Sequence, residues 1–179
     1  MTESEYELLE IARLDADAAA SAVPALAELL VDSVHHGASV GFVWPFTVAA
    51  AAAWWKGIVA DVAAGTVVLL IARSGGRVVG TVQLRLAQYP NGRHRAEVAK
   101  LLVLTSARRQ GIARRLMEAL EAEASGLGRT LLVLDTATDA AERLYASLGY
   151  STVGVVPGFA ADPDGTLRGT TIMWRTLTS

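Results

Sequence analysis

The sequence contains no cysteine among its 179 residues. Disulfides, thiolate metal sites and a cysteine nucleophile are therefore excluded. The longest apolar run, Val48–Trp55, is far shorter than the ~20 residues that a membrane-spanning helix needs. The amino terminus, residues 1–6, is acidic and polar, unlike a secretory signal. We therefore expect a cytoplasmic protein that does not act at a membrane.

Charge of one sign is not in excess, because 16 Lys and Arg residues face 18 Asp and Glu residues. Nucleic acid is therefore not an expected partner. The sequence also lacks the Gly-x-Ser-x-Gly turn of serine hydrolases and the phosphate loop of nucleotide kinases. The adjacent His35 and His36 would diverge by about 100° on a helix and could not chelate one metal in a zinc-like pattern. We expect no metal.

Turn and cap residues predict a single domain over residues 1–179, with the element order β-α-α-β-β-β-α-β-α-β-β. Asp15 or Asp17 would cap the first helix, which Pro24 is placed to divide or kink, and Thr47 would cap the second. The strands are expected over residues 6–14, 66–73, 77–88, 93–104, 131–135, 150–156 and 168–177. The helices are expected over residues 15–36, 47–65, 111–124 and 138–148.

The most informative segment is 98–117, in which a branched apolar strand runs into a basic turn and then an amphipathic helix. Four arginines lie between positions 108 and 115, and no acidic residue lies between Glu97 and Glu118. Backbone N–H groups at a helix N-terminus, surrounded by arginines, favour a polyanion such as a pyrophosphate. Gly111 lets the main chain approach the phosphates without a Cβ. The alternative is an ordinary strand-to-helix connection with a solvated arginine face.

This segment resembles the acetyl-CoA-binding signature of the GNAT acetyltransferase superfamily, Gln/Arg-x-x-Gly-x-Gly/Ala, with Arg108, Gly111 and Ala113 in its fixed places. The element order also resembles that of the GNAT fold. The resemblance implies an α/β fold with a central mixed, mostly antiparallel sheet of about seven strands. It also implies helices on both faces, a splay between the two central strands, and acetyl-CoA as co-substrate. Homodimers are common in this superfamily, so a homodimer is expected.

The resemblance assigns two groups of residues to acetyl-CoA. Free backbone groups at the end of the fourth strand would pair with the pantetheine arm. Main-chain N–H groups of the basic turn would hold the pyrophosphate, with arginine side chains adding bidentate contacts. Where the family often has Asn before the fourth helix, this chain has a threonine that could still reach the cofactor. These residues are Leu102, Val103, Leu104, Arg108, Arg109, Gln110, Gly111, Ile112, Ala113, Arg114 and Thr138.

Tyr145 is the best catalytic candidate. It lies in the segment 141–150, which resembles the family pattern Ala-x-x-x-Tyr-x-x-x-Gly-Phe/Tyr. In the family this tyrosine commonly donates a proton to the departing CoA thiolate. A phenol with a pKa near ~10 suits a thiol of similar basicity. The alternative is a tyrosine that only packs on the sheet.

The general base is open between two carboxylates, with Asp135 slightly preferred. Asp135 ends an apolar strand, where a buried carboxylate is costly unless it is used or paired. Glu97 lies on the strand that leads to the cofactor, and alternation places it on one face with the residues at positions 99, 101 and 103. The alternatives are a helix N-cap for Asp135 and a salt bridge to Arg95 or Arg85 for Glu97.

The acceptor pocket is expected to be lined by His35 or His36 and by Phe42 and Trp44 of the apolar loop. The alternative for a histidine at this helix end is an interaction with the helix dipole alone. Trp54 and Trp55 are more consistent with core packing. Short runs at 36–42, 90–92, 95–98 and 163–165 resemble those of the tabtoxin-resistance enzymes within the superfamily, which acetylate a β-lactam amino-acid toxin.

These observations predict an acetyl-CoA-dependent N- or O-acetyltransferase that acts on a small polar acceptor. The acceptor could be a toxin or antibiotic with an amino-acid-like part. Without a cysteine nucleophile, direct transfer in a ternary complex is favoured over an acyl-enzyme. The alternatives are a protein or peptide N-acetyltransferase and a non-catalytic CoA-binding regulatory protein.

Overall fold

A computed structural model describes residues 9–177. The strands are β1 Glu10–Leu14, β2 Val67–Ser74, β3 Arg77–Leu86, β4 Arg95–Val103, β5 Leu131–Thr136, β6 Ser151–Ala161 and β7 Leu167–Thr176. The helices are α1 Ala16–His35, α2 Val48–Ala63, α3 Ile112–Gly126 and α4 Asp139–Ser147. The strands form one seven-stranded sheet in the order β1-β2-β3-β4-β5-β7-β6. Every neighbouring pair is antiparallel except β4 and β5, which are parallel. The predicted mixed sheet and element order are confirmed.

Three helices begin where the sequence offers a side-chain cap. Asp15 accepts a hydrogen bond from the N–H of the third following residue at 2.8 Å, Thr47 at 3.1 Å and Thr138 at 3.3 Å. Asp17 lies in the first turn of α1 rather than at its cap, and α1 continues unbroken through Pro24. In the described part of the chain, no helix has the length and apolarity that a membrane span requires.

Every residue of β2 from Val67 to Ala72 is buried. Since successive residues of a strand point to opposite faces, both faces of the sheet must be covered here by helices. On one face α3 presents the predicted apolar stripe, and Ile112 and Leu116 are both buried. This helix lies close to Gly80 in β3. A Cβ at Gly80 would lie 3.0 Å from Leu116 Cδ1 and 3.1 Å from the carbonyl oxygen of Leu102. The site therefore rests on a tightly packed junction of β3, β4 and α3.

Among the described residues, one strand prediction differs from the structure by more than two residues. The expected end of β6 at residue 156 is wrong, because the strand continues to Ala161 through Pro157 and Gly158. Proline is tolerated there since β6 is an edge strand, and its pairing with β7 shifts register between Val156 and Ala160. The first three residues of the predicted strand 6–14 lie outside the described residues.

Candidate active site at the splay between two central strands

The site is centred where β4 and β5 separate. The two strands pair only from Arg95 opposite Leu131 to Glu97 opposite Val133. Beyond that point, in the described chain, the β5-facing side of β4 has no partner strand. Backbone groups there are free to pair with an extended ligand, because a strand edge presents its N–H and C=O groups outward. The predicted splay is confirmed.

The predicted pantetheine contacts are only partly available. Leu102 and Val103 pair with β3 on their other side, so a ligand could approach from the open side. The backbone of Leu104 offers less to a ligand, because both its N–H and its carbonyl already have partners. Its N–H donates to the Val79 carbonyl at 2.9 Å, and its own carbonyl accepts from Ala107 N–H at 2.8 Å.

The loop between β4 and α3 exposes a row of unpartnered N–H groups. Arg109 and Gly111 have φ angles of 65° and 77°, and the first bond of α3 runs from Arg115 N–H to the Gly111 carbonyl at 3.2 Å. The preceding N–H groups therefore have no helical acceptor, and among residues 9–177 no other acceptor is found for those of residues 109–114. Successive N–H groups around left-handed residues form an anion-binding concavity. This loop fits a pyrophosphate.

The arginine side chains of the loop are less free than expected. Arg108 Nε donates to the Val103 carbonyl at 3.3 Å, and Arg114 Nη2 donates to Ser147 Oγ of α4 at 2.7 Å. Arg109 and Gln110 are exposed, whereas the Ile112 side chain is buried in the core. Ile112 and the partly buried Ala113 can therefore contribute mainly through the backbone. Bidentate capacity is expected of Arg109 more than of its neighbours.

Asp32 of α1 fixes the start of this loop, a contact that the sequence did not suggest. Its Oδ2 accepts from Thr105 N–H at 2.8 Å and from Thr105 Oγ1 at 3.0 Å. The same carboxylate lies 3.3 Å from His36 Nδ1, which is also 2.7 Å from the Asp32 carbonyl. His36 therefore turns back on its own helix, contrary to a role in the acceptor pocket.

Tyr145 and Asp135 come together at the open side of the splay. Tyr145 is buried with 6% of its surface exposed, and its ring packs edge-on against Tyr150 at 5.7 Å between centroids. Burial raises the pKa of the Tyr145 phenol well above its usual value, and the nearby Asp135 charge raises it further. The phenol is therefore held in its proton-donating form.

Asp135 is neither buried nor a helix cap. It is exposed near the end of β5, so the expected cost of burying its carboxylate does not arise. Its Oδ2 accepts from Thr170 Oγ1 of β7 at 3.1 Å. Thr138 is the N-cap of α4, which rules out the N-cap alternative for Asp135 and ties the Thr138 hydroxyl to the helix. Asp135 remains an accessible carboxylate beside a protonated phenol.

Glu97 is exposed directly opposite Arg85 of β3. Within residues 9–177 it forms no salt bridge with Arg85 or Arg95, so the purely structural alternative is not found. The predicted alternation does not continue to positions 101 and 103. Between the pairs Thr81–Leu102 and Gln83–Ala99, one residue of β3 faces two of β4, and the inserted residue breaks the period of two.

Lys100 occupies this bulge and was not predicted as a site residue. Its φ angle of 52° is in the left-handed region that lysine rarely adopts. The ammonium lies 5.5 Å from the ring centroid of Trp54 in α2. Burial lowers the pKa of Lys100, as does Arg85, whereas Asp135 and Glu97 act in the opposite direction. A lysine within an apolar strand was the signal available in the sequence.

An aromatic wall extends from Lys100 along the predicted acceptor side. Phe42 stacks on Phe46 at 4.4 Å and meets Trp54 edge-on at 5.5 Å, while Trp55 is fully buried. Next to Phe46 is a pocket of about 430 Å³, lined by His35, Trp44, Pro45, Phe46 and Thr47. His35 Nε2 lies 3.3 Å from the Phe46 carbonyl. The structure thus brings together His35, Phe42 and Trp44 of the predicted acceptor residues.

Comparison with known families decides the broad class. The family model described as Acetyltransferase (GNAT) family matches residues 23–150. The chain belongs to this family. The matched region of this GNAT acetyltransferase begins within α1 and ends at Tyr150. It includes the splay, the N–H-lined loop and Tyr145.

Solved structures share the GNAT fold over nearly the whole chain. An acetyltransferase from Salmonella typhimurium, solved with its cofactor acetyl-CoA, is 21% identical with a TM-score of 0.77, covering 96% of this chain and 95% of its own. A ribosomal-protein-alanine N-acetyltransferase from Brucella melitensis is 23% identical with a TM-score of 0.78, covering 94% and 99%. A protein assigned as a phosphinothricin N-acetyltransferase is 18% identical with a TM-score of 0.78, covering 96% and 100%.

Proposed function

We propose that this GNAT acetyltransferase moves an acetyl group from acetyl-CoA directly to the amine or hydroxyl of a small polar acceptor. The observation that carries the proposal is the convergence of three features at one splay: a free strand edge, an N–H-lined loop, and the Tyr145–Asp135 pair. Acetyl-CoA supplies the acetyl group activated as a thioester. No cysteine is available for an acyl-enzyme, which supports direct transfer.

The residues around the splay fit acetyl-CoA. The N–H groups of residues 109–114 would bind the pyrophosphate. An ideal Cβ at Gly111 would meet no atom within 4 Å, so the space in front of this turn is open to a ligand. The free side of β4 at Leu102 and Val103 would bind the pantetheine arm. With the pyrophosphate bound at the loop and the pantetheine arm along β4, the acetyl group would lie at the splay and be oriented toward the acceptor.

Tyr145 would hold the proton that the leaving thiolate needs. Burial and Asp135 both raise the pKa of its phenol, so the proton is present throughout the physiological range. A donor fixed in place next to a developing negative charge accelerates the step that produces that charge.

Asp135 would take the proton that the acceptor must lose. It is exposed, held by Thr170 and electrostatically coupled to Tyr145, so an acceptor beside it would also be beside the acid. Glu97, exposed on β4, is the alternative base and could act through a water. We therefore assign Tyr145 as the acid and Asp135 as the favoured base.

The acceptor class is supported by the pocket and by the relatives. The aromatic wall and the 430 Å³ pocket suit a small molecule. A structural relative is assigned as a phosphinothricin N-acetyltransferase, and the runs at 36–42, 90–92, 95–98 and 163–165 resemble those of enzymes that acetylate an amino-acid toxin. We infer that this chain acetylates a toxin or antibiotic of that kind, in a resistance role in the cytoplasm. The Brucella relative names a protein acceptor, which makes a protein N-terminus the second candidate.

We also propose a homodimer formed through β6. This edge strand has no charged residue in its eleven positions, and Val153, Val155 and Phe159 are 68%, 65% and 53% exposed. Natural edge strands usually carry charges or a cover that prevents edge-to-edge pairing. A second copy covering this edge would remove the apolar surface from water. Sedimentation equilibrium would give the oligomeric state.

The test is release of free CoA thiol from acetyl-CoA across a panel of amino acids, β-lactam dipeptides, aminoglycosides, peptides and simple amines. A thiol reagent reports only the product, because the enzyme has no thiol of its own. Acceptor-dependent release is expected with small molecules. CoA release with peptides alone would indicate that the acceptor is a protein rather than a small molecule. Binding of acetyl-CoA without release for any acceptor would favour a CoA-binding regulatory protein.

A further inference from the structure

Four charged side chains lie together on the acceptor side of the splay. Arg85 and Glu97 are directly opposite in the β3–β4 register, and Lys100 is electrostatically coupled to Arg85, Glu97 and Asp135. The four comprise two cations and two carboxylates. An array with both signs at one place is complementary to a ligand that itself carries both signs.

The Lys100 ammonium has no anion of its own. Within residues 9–177 no carboxylate lies within 4.0 Å of its nitrogen. On the α1–α2 side, the nitrogen lies 5.5 Å from the centroid of the Trp54 ring, and an ideal Cβ at Gly41 would lie 3.7 Å from it. A half-buried ammonium without an anion is unfavourable, and a bound anion would relieve the cost.

Two polar side chains of β3 also contain buried atoms without a hydrogen-bond partner. Gln83 is fully buried, and neither atom of its amide has a hydrogen-bond partner in the described chain; the Arg85 Nε is buried and unpaired as well. Gln83 and Arg85 are two residues apart on β3 and so share one face of the sheet. Gln83 is opposite Ala99, the residue before Lys100. Unsatisfied donors and an acceptor thus lie on the part of β3 that pairs with the strand carrying Lys100.

We propose that the acceptor is a zwitterion, with an anionic group such as a carboxylate near its amine, and that Lys100 binds this group. The inference rests on the proposed function, since it names the acceptor class for the same site. The acceptor amine would lie toward Asp135 and Tyr145, and its carboxylate toward Lys100, with Arg85 adding positive potential. The strained backbone at Lys100 is consistent with a residue held in place for binding.

The decisive variant is Lys100→Met, which removes the charge and keeps an unbranched stem against Trp54. Lys100→Arg retains the charge and should retain part of the binding. The chain has only one other lysine, Lys56, which is exposed on α2. Lys56→Met is therefore a matched control for the loss of one lysine charge. Thermal melts of all three variants would show that each is folded.

The substrates are amino acids and their primary amides, which have nearly the same shape but lack the negative charge, together with amines that have no carboxylate. Wild type should prefer the acid over its amide. Lys100→Met should raise KM for the acid about 10- to 100-fold, the range for a charge-assisted contact. The same variant should change kcat, the amide kinetics and the KM for acetyl-CoA by less than about threefold.

Several results would overturn the inference. One is equal use of acid and amide by wild type. Another is an equal loss on both substrates in Lys100→Met, which would indicate a structural role. If wild type acetylates only amines without a carboxylate, the zwitterion inference fails while the proposed function stands. If it acetylates nothing although it binds acetyl-CoA, the proposed function fails, and the inference fails with it.

Discussion

Replacing Tyr145 with phenylalanine removes one hydroxyl from the site and keeps the ring. A positioned general acid contributes about 10²–10⁴-fold to rate, or roughly 3–5 kcal/mol of activation free energy. The structure favours the lower part of this range. Burial and Asp135 raise the pKa of the phenol, and a weaker acid gives up its proton less readily to a thiolate. We expect Tyr145→Phe to lower kcat about 100-fold and to leave the acetyl-CoA Kd within about twofold.

The same substitution should leave the fold intact. In the described chain the Tyr145 hydroxyl has no hydrogen-bond partner, whereas the ring packs against Tyr150 at 5.7 Å. Removing an unpaired hydroxyl should change the free energy of unfolding by less than about 1 kcal/mol. Tyr150→Phe is the matched control, because it deletes a hydroxyl from the adjacent buried ring. Its kcat should stay within about twofold of wild type.

The assay is CoA thiol release at saturating acetyl-CoA, measured from pH 6.5 to 9.5. Because the pKa of Tyr145 is raised, its phenol stays protonated below about pH 10, and the ratio of wild-type to variant kcat should be constant across this range. A kcat for Tyr145→Phe within about threefold of wild type would refute the proton-donor role. A ratio that collapses near pH 8 would refute the raised pKa.

Three further predictions concern the loop and the core. Gly111→Glu should abolish acetyl-CoA binding in calorimetry, because it places a carboxylate at the free N–H groups. Gly111→Ala adds only a Cβ at a φ of 77° and should weaken binding less than Gly111→Glu does. A wild-type affinity in Gly111→Glu would defeat the cofactor assignment. Asp32→Ala removes both hydrogen bonds to Thr105 and should raise the acetyl-CoA Kd about 10-fold. An unchanged Kd would mean that the loop keeps its conformation without Asp32. Gly80→Ala should lower the free energy of unfolding by about 1–3 kcal/mol through overpacking. Leu116→Ala removes one of the side chains that the added methyl group would contact. In urea denaturation, the effects of the two substitutions should therefore be non-additive.

Much of the fold could be predicted because the ends of its helices depend on residues that can be recognised locally in the sequence. Asp15, Thr47 and Thr138 each begin a helix by accepting a backbone hydrogen bond, and such caps are visible in a sequence. The extension of β6 past Pro157 was not predictable in this way. Whether a proline ends a strand depends on whether that strand lies at the edge of the sheet, and strand order is a tertiary property.

The candidate site was predictable where a motif fixes the backbone and less so where side chains meet across the fold. The spacing around Gly111 predicted the loop, and the family pattern around Tyr145 indicated the candidate acid. Spacing could not show that Asp135 would be exposed, since the residues before it in the strand are all apolar. Asp135 lies beyond Val133, where the pairing of β5 with β4 ends. Nor could it show Asp32 reaching Thr105, 73 residues away in the chain.

Backbone strain is concentrated at the site. Among residues 9–177, the non-glycine residues with positive φ are Lys100 at 52° and Arg109 at 65°, and both lie on β4 or the loop that follows it. A left-handed conformation is unfavourable by roughly 1–2 kcal/mol for such residues, so the surrounding structure must stabilise it. Strain at two points of one segment is expected where each point presents groups to a ligand. At Arg109 the strained turn exposes the N–H groups that we propose for the pyrophosphate, and at Lys100 it presents the ammonium that we propose for the anionic group of the acceptor. If both proposals hold, the bulge and the loop together would align acetyl-CoA and the acceptor at the splay.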